Sequence, residues 1–88
     1  MERIVMIFAH GCDECLSMRQ AINSMTKFLD LEDKVELYSY NCEDDESISV
    51  AIEYGISEVP GCSIGGIVVE GEDFDKDDIL EALKKFSE

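Results

Sequence analysis

The sequence predicts an α/β fold, a four-stranded mixed sheet with three flanking helices in the order β-α-β-α-β-β-α. Three observations carry that expectation. Ile4-Val5-Met6-Ile7-Phe8 is a continuous apolar run of strand length, the pattern of a strand covered on both faces. A stretch with helical spacing and then an alternating segment follow it, as in a β-α-β unit. Further on, Gly65-Gly66 links two short apolar segments, as the turn of a hairpin does.

Each element has a local reason. His10-Gly11 breaks the first strand. A helix is expected from Asp13 to Leu29, with Cys15, Met18, Ile22, Met25 and Leu29 on its buried face at steps of three and four. Arg19 is expected on the exposed face, near Glu14 or Asp13. Leu31-Glu32-Asp33-Lys34 is a polar turn. Val35, Leu37 and Ser39 then alternate with Glu36, Tyr38 and Tyr40 in a second strand. Asn41 to Glu46 is an acidic loop, and Ser47 to Tyr54 a short helix with Ile48, Ala51 and Ile52 turned inward. Gly55 ends that helix as its C′ residue.

Cys62 to Ile64 and Ile67 to Glu70 are the hairpin strands. Asp75 is the N-cap of a last helix, and Asp77 and Asp78 sit in its first turn, where the helix dipole favours acids. Ile79, Leu80, Leu83 and Phe86 form its apolar stripe, with Lys84 and Lys85 at its C-terminal end. The β-α-β unit requires a parallel pair with a right-handed crossover, and the hairpin an antiparallel one.

Composition narrows the function. The 88 residues fit one domain, 1–88, and 45% hydrophobic with 32% charged residues suits a folded core rather than disorder. A net charge of −14 argues against nucleic acid and anionic membrane as partners, because phosphate binding needs clustered Lys and Arg. No apolar run reaches the length of a membrane span. The N-terminus lacks the pattern of a signal peptide, so a cytoplasmic monomer is expected. In a reducing compartment, the four cysteines serve redox or metal chemistry more readily than structural bridging.

Cys12-Asp13-Glu14-Cys15 carries the chemistry. C-x-x-C fits either zinc or redox use, and its place between a buried strand and an amphipathic helix favours redox. At the helix N-terminus, free backbone N–H groups and the dipole stabilise a Cys12 thiolate, the attacking species. Cys15, about one turn further on the apolar face, keeps its proton and can resolve a mixed disulfide. Asp13 and Glu14 oppose thiolate formation, each by on the order of one pKa unit. The couple is therefore expected to be a reductant.

That motif, with Tyr54-Gly55-Ile56-Ser57-Glu58-Val59-Pro60 entering the hairpin, resembles the thioredoxin/glutaredoxin superfamily. Pro60 to Gly71 is similar to the hairpin of the small archaeal-type thioredoxin- and glutaredoxin-like proteins, so the resemblance covers nearly the whole chain. It implies a thioredoxin-like fold with Cys12 as nucleophile and Cys15 as resolving thiol. It also implies a cis Pro60 that sets the Val59 backbone beside the disulfide, where an extended substrate pairs with it. Gly11 and His10, preceding Cys12, join Val59 and Pro60 as substrate-contacting candidates.

The chain departs from the family in places. Thioredoxins typically read Trp-Cys-Gly-Pro-Cys, whereas this chain has no Trp and has Gly11 before Cys12. Met6 stands where many thioredoxins bury an Asp that accepts the second cysteine's proton, leaving His10, Glu14 or water for that role. Glutaredoxins often hold glutathione with a basic residue near the motif and with Thr-Val-Pro. Here Glu58 replaces that Thr, and no basic residue directly precedes Cys12.

The expected activity is reduction of disulfides in client proteins, with an upstream thioredoxin reductase-like donor. No cofactor beyond the cysteine pair and no metal are expected. The alternatives are a glutathione-dependent glutaredoxin and a non-catalytic metal-holding or binding module on the same fold, in which Cys42, Cys62 and His10 complete a ligand set. Cys62, two residues after Pro60, is a small core residue or a candidate third thiol. Cys42 is expected to be buried or in a solvated loop.

Overall fold

The structure, a computed structural model, describes residues 2–86. Among these, the elements are β1 (Glu2–Phe8), α1 (Asp13–Phe28), β2 (Val35–Asn41), α2 (Asp45–Tyr54), β3 (Gly61–Ile64), β4 (Ile67–Glu70) and α3 (Lys76–Lys84). The sheet order is β2-β1-β3-β4. β1 runs parallel to β2, with Ile4 opposite Leu37, and antiparallel to β3, with Met6 opposite Cys62. The β3–β4 hairpin closes with Ile64 opposite Ile67.

The unbroken apolar run explains the central place of β1. Its successive side chains point to opposite faces, and both faces are covered. Ile4 and Met6 join Cys62 and Ile64 beneath α1 and α3, packing against Met18, Ile22, Ile79 and Leu83. Val5 and Ile7 meet Ile56 and the partly buried Val50, Ala51 and Tyr54 under α2. Complete burial of a side chain such as Ile4 or Leu83 contributes roughly 1.5–3 kcal/mol of transfer free energy.

Local signals set the ends. In α1, Thr26 is buried and its hydroxyl donates to the Ile22 carbonyl at 2.6 Å, so a polar residue sits on the inner face without an orphaned donor. The helix ends at Phe28, and beyond its Leu29 cap Asp30 has a left-handed φ of 57° while the Leu31 N–H turns back to the Thr26 carbonyl at 2.9 Å. Asp75 caps α3 by accepting from the Asp77 N–H at 2.9 Å. In the hairpin, Gly65 and Gly66 have φ of 58° and 85°, which L side chains rarely adopt.

Three sequence expectations are corrected. α2 begins at Asp45, and its inner stripe is Ser47, Val50, Ala51 and Tyr54 rather than Ile48, Ala51 and Ile52. Ser47 takes the inward position because its hydroxyl donates to the Asp44 and Cys42 carbonyls. Ile48 and Ile52 are left 60% and 77% exposed. In α1, Ala21 and Thr26 are buried where Met25 and Leu29 are only half-buried, because the helix turns a slightly different face to the sheet. In α3, Ala82 is buried and Leu80 half-buried.

Candidate active site

Three segments converge at the C-terminal end of β1. Ile7 pairs with Gly61, so the Val59-Pro60 segment enters β3 next to the end of β1. On the other side, the Cys42 N–H donates to the Phe8 carbonyl at 2.8 Å. Between these flanks the chain runs from Phe8 through His10 and Gly11 into α1. Gly11 has a φ of 67° with open space where a β-carbon would stand, so the backbone can swing sharply into the helix.

Cys12 is the N-cap of α1 and is half-buried. Its sulfur accepts the Cys15 N–H at 3.0 Å, a capping role usually filled by Ser or Asp. Cys15 is 4% exposed on the core side of the helix. The two form a disulfide with Cα atoms 5.2 Å apart. The sequence thus places one sulfur at a helix terminus lining the cleft and its partner in the core. The helix N-terminus and the Cys15 N–H favour an anion on the Cys12 sulfur once the bond is reduced.

The cleft over this disulfide is lined by Phe8, His10, Gly11, Asp13, Leu16 and Arg19. Arg19 does not sit free on the exposed face. It is half-buried, with its guanidinium 5.0 Å from the centroid of the Phe8 ring. His10 is exposed and meets the same ring edge-on at 6.5 Å. Asp13 and Glu14 are exposed in the first turn of α1. Leu16 is 55% exposed beside the disulfide. Leu16 and Arg19 lie at i+4 from Cys12 and Cys15, a spacing that could have pointed to Leu16 from the sequence.

The Val59–Pro60 peptide is cis, and Pro60 is buried with its carbonyl accepting the Gly71 N–H at 2.8 Å. Val59 is half-buried, and neither its N–H nor its carbonyl takes part in a hydrogen bond among the described residues. Cys62 is fully buried in the cluster that contains Cys15, and burial pushes its thiol up to about 12. Cys42 is an exposed free thiol beyond Phe8.

Met6 occupies the core beside Cys15. The buried polar side chains among the described residues are Thr26, Ser47 and Ser63, so no carboxylate is buried with Cys15. No group of three or more His, Cys, Asp or Glu among the described residues is arranged to hold a metal ion, so Cys42, Cys62 and His10 are not gathered around the Cys12–Cys15 pair. Nor is any helix among the described residues long and apolar enough to cross a membrane.

No family model matches the chain, and no curated protein matches it. Solved structures do. The structure of a malarial protein matches with a TM-score of 0.59 at 15% identity, over 94% of this chain and 93% of that one. The J-Trx1 fragment of ERdj5 matches with a TM-score of 0.58 at 18% identity, over 97% of this chain and 41% of that one. With the sheet order and helix placement above, these likenesses show a thioredoxin-like fold.

Proposed function

We propose that this chain is a thiol–disulfide oxidoreductase that reduces disulfides in client proteins. The observation that supports the reading best is the pairing of a half-buried, cleft-lining Cys12 at the N-cap of α1 with a buried Cys15, already joined in a disulfide. The Cys12 thiolate attacks one sulfur of a client disulfide, forming a mixed disulfide and releasing the other client sulfur as a thiolate. Cys15 then loses its proton and attacks the Cys12 sulfur, closing the Cys12–Cys15 disulfide and releasing the second client thiol. Two electrons pass from the protein to the client, and a reductase-type dithiol donor restores the pair.

The client backbone pairs with the free N–H and carbonyl of Val59, next to the buried Pro60. His10 and Gly11 border its path to the sulfur. The proton of Cys15 leaves toward His10, Glu14 or solvent, since no buried carboxylate stands by to take it. Glutathione is a poorer fit. It is an anion, and Glu58, Glu72 and Asp73 line the recess beside Val59. The activity belongs to a cytoplasmic setting, where a donor keeps the pair reduced, and it is of the kind expected of small archaeal-type thioredoxin- and glutaredoxin-like proteins.

The deciding experiment is a redox titration in dithiol/disulfide buffers, with peptide mapping of the cysteine pairs. A reversible Cys12–Cys15 disulfide at or below roughly −270 mV is expected. Cys15→Ser should accumulate a mixed disulfide with a client at Cys12, and Cys12→Ser should form none. Failure of the pair to cycle ends the enzyme reading. Turnover that requires reduced glutathione replaces it with the glutaredoxin one.

A further inference from the structure

We infer that the client segment seated on Val59 carries an apolar side chain next to a Lys or Arg. This rests on the proposed disulfide reduction and names the substrate class for that same site.

Val59 stands between two unlike surfaces. On one side, a groove is lined chiefly by Ile7, Cys42, Ile48, Ala51, Ile52 and Ile56, with Glu58 at the border it shares with the second surface. Ile48 and Ile52 are its outer wall, and they are the α2 side chains left exposed when Ser47 takes the inward position. On the other side lies a recess at the Gly71 turn, lined by Glu58, Gly71, Glu72 and Asp73. A β-carbon placed on Gly71 would lie 3.1 Å from a Glu58 carboxylate oxygen and 3.2 Å from an Asp73 one, so the two carboxylates converge there.

Charge decides the occupant. From Val35 to Asp75 the chain contains no Lys, Arg or His, and this stretch builds α2, the Val59 loop and the Gly71 turn. Glu43, Asp44, Asp45 and Glu46 add negative charge at the α2 end of the groove and are all exposed. Arg3, which packs against α2, lies by Tyr54 at the helix's other end. A second copy of the chain would bring the same acids and another −14 against this surface, so self-association is repelled. A basic client is attracted. In an extended segment, neighbouring side chains point to opposite sides. Adjacent apolar and basic residues therefore fill the groove and the recess together.

The test uses short peptides, each holding one cysteine in a disulfide with a small thiol. One has Leu-Lys near the cysteine, a second Leu-Glu and a third Ser-Lys. Rates with the reduced protein are divided by its rate with hydroxyethyl disulfide, which reads the chemistry alone. Binding of the oxidised protein to fluorescent Cys→Ser versions is followed by anisotropy.

At low ionic strength the Leu-Lys peptide is expected to react and bind about tenfold better than Leu-Glu. That ratio should shrink toward one at about 1 M salt. Glu58→Gln with Asp73→Asn should reduce the Lys preference, and Ile48→Ser with Ile52→Ser the Leu-over-Ser preference. Equal rates and binding for the three peptides at low salt overturn the inference, as do preferences unchanged in both variants. A protein inert even to hydroxyethyl disulfide overturns the redox reading instead, and the anisotropy series still decides the docking surface.

Discussion

The guanidinium of Arg19 lies 5.0 Å from the centroid of the Phe8 ring, at the wall of the cleft that holds the Cys12–Cys15 disulfide. Phe8 ends the central strand, and its carbonyl also holds Cys42. Arg19 is on the helix that Cys12 caps. The stacked pair thus ties the strand end to the helix. It also keeps a cation in the cleft that Asp13 lines.

Those charges should tune the Cys12 thiolate in opposite directions. Asp13 and Glu14 are both exposed and screened by solvent, so Asp13→Asn with Glu14→Gln should lower the Cys12 pKa by about one unit in all rather than one unit each. Arg19→Gln removes a half-buried cation and should raise it by up to about one unit. A more stable thiolate means a more stable reduced form, so the first variant should be the more oxidising, by on the order of 30 mV when the thiolate predominates. Thiolate absorbance against pH and a redox titration check both. Unchanged values in both variants would show that solvent screens the cleft.

Substitutions on α2 and α3 should separate surface from core. Ile48→Ser and Ile52→Ser alter exposed side chains and should change stability by no more than about 0.5 kcal/mol. Ile79→Ala and Leu83→Ala empty fully buried positions and should each cost about 2–5 kcal/mol. Urea unfolding of the four variants measures the contrast. A large loss at Ile48 would mean that the outer face of α2 is covered in solution.

The helix contrast also shows which parts were legible in the sequence. β1, the Gly65-Gly66 hairpin and the Asp75 cap each rest on a short-range signal that admits one reading, and each stands in the fold. α2 has apolar residues at 48, 50, 51, 52 and 54, so periodicity alone does not choose its inner face. The choice is made by Ser47 hydrogen bonds and by the bulk of Val50 and Tyr54 against the sheet. The split between Cys12 at the α1 N-cap and Cys15 in the core was legible from helix spacing, although Cys12 is half-buried rather than exposed. Arg19 was not, since its partner is an aromatic ring on another element rather than a nearby acid.

Gly65 should tolerate change poorly. Its φ is 58°, and a β-carbon there would lie 2.8 Å from the Phe86 ring. Gly66 has a φ of 85° but open space around the same position. Gly65→Ala therefore adds a steric conflict to backbone strain, whereas Gly66→Ala adds strain alone. Losses of about 1–3 kcal/mol and about 1–2 kcal/mol are expected, read from denaturant midpoints. The reverse order would show that Phe86 swings aside freely.

Cys62 should make the fold sensitive to alkali. Burial between β3 and the helices α1 and α3 raises its thiol from an ordinary 9.0 to about 12. Between those values the unfolded chain has released this proton and the folded chain still holds it. The unfolded state binds fewer protons, so stability falls as pH rises, by about 1.4 kcal/mol per pH unit from this group. Below pH 9 its contribution is constant. Urea unfolding at pH 8 and pH 10 should therefore show a steeper loss in the wild type than in Cys62→Ala, whose own cavity changes the level but not the slope. Alkylation should label Cys42 in the native protein and reach Cys62 only on unfolding, since one is exposed and the other fully buried. Rapid native labelling of Cys62, with matching pH slopes, would mean that β3 opens enough to expose this thiol.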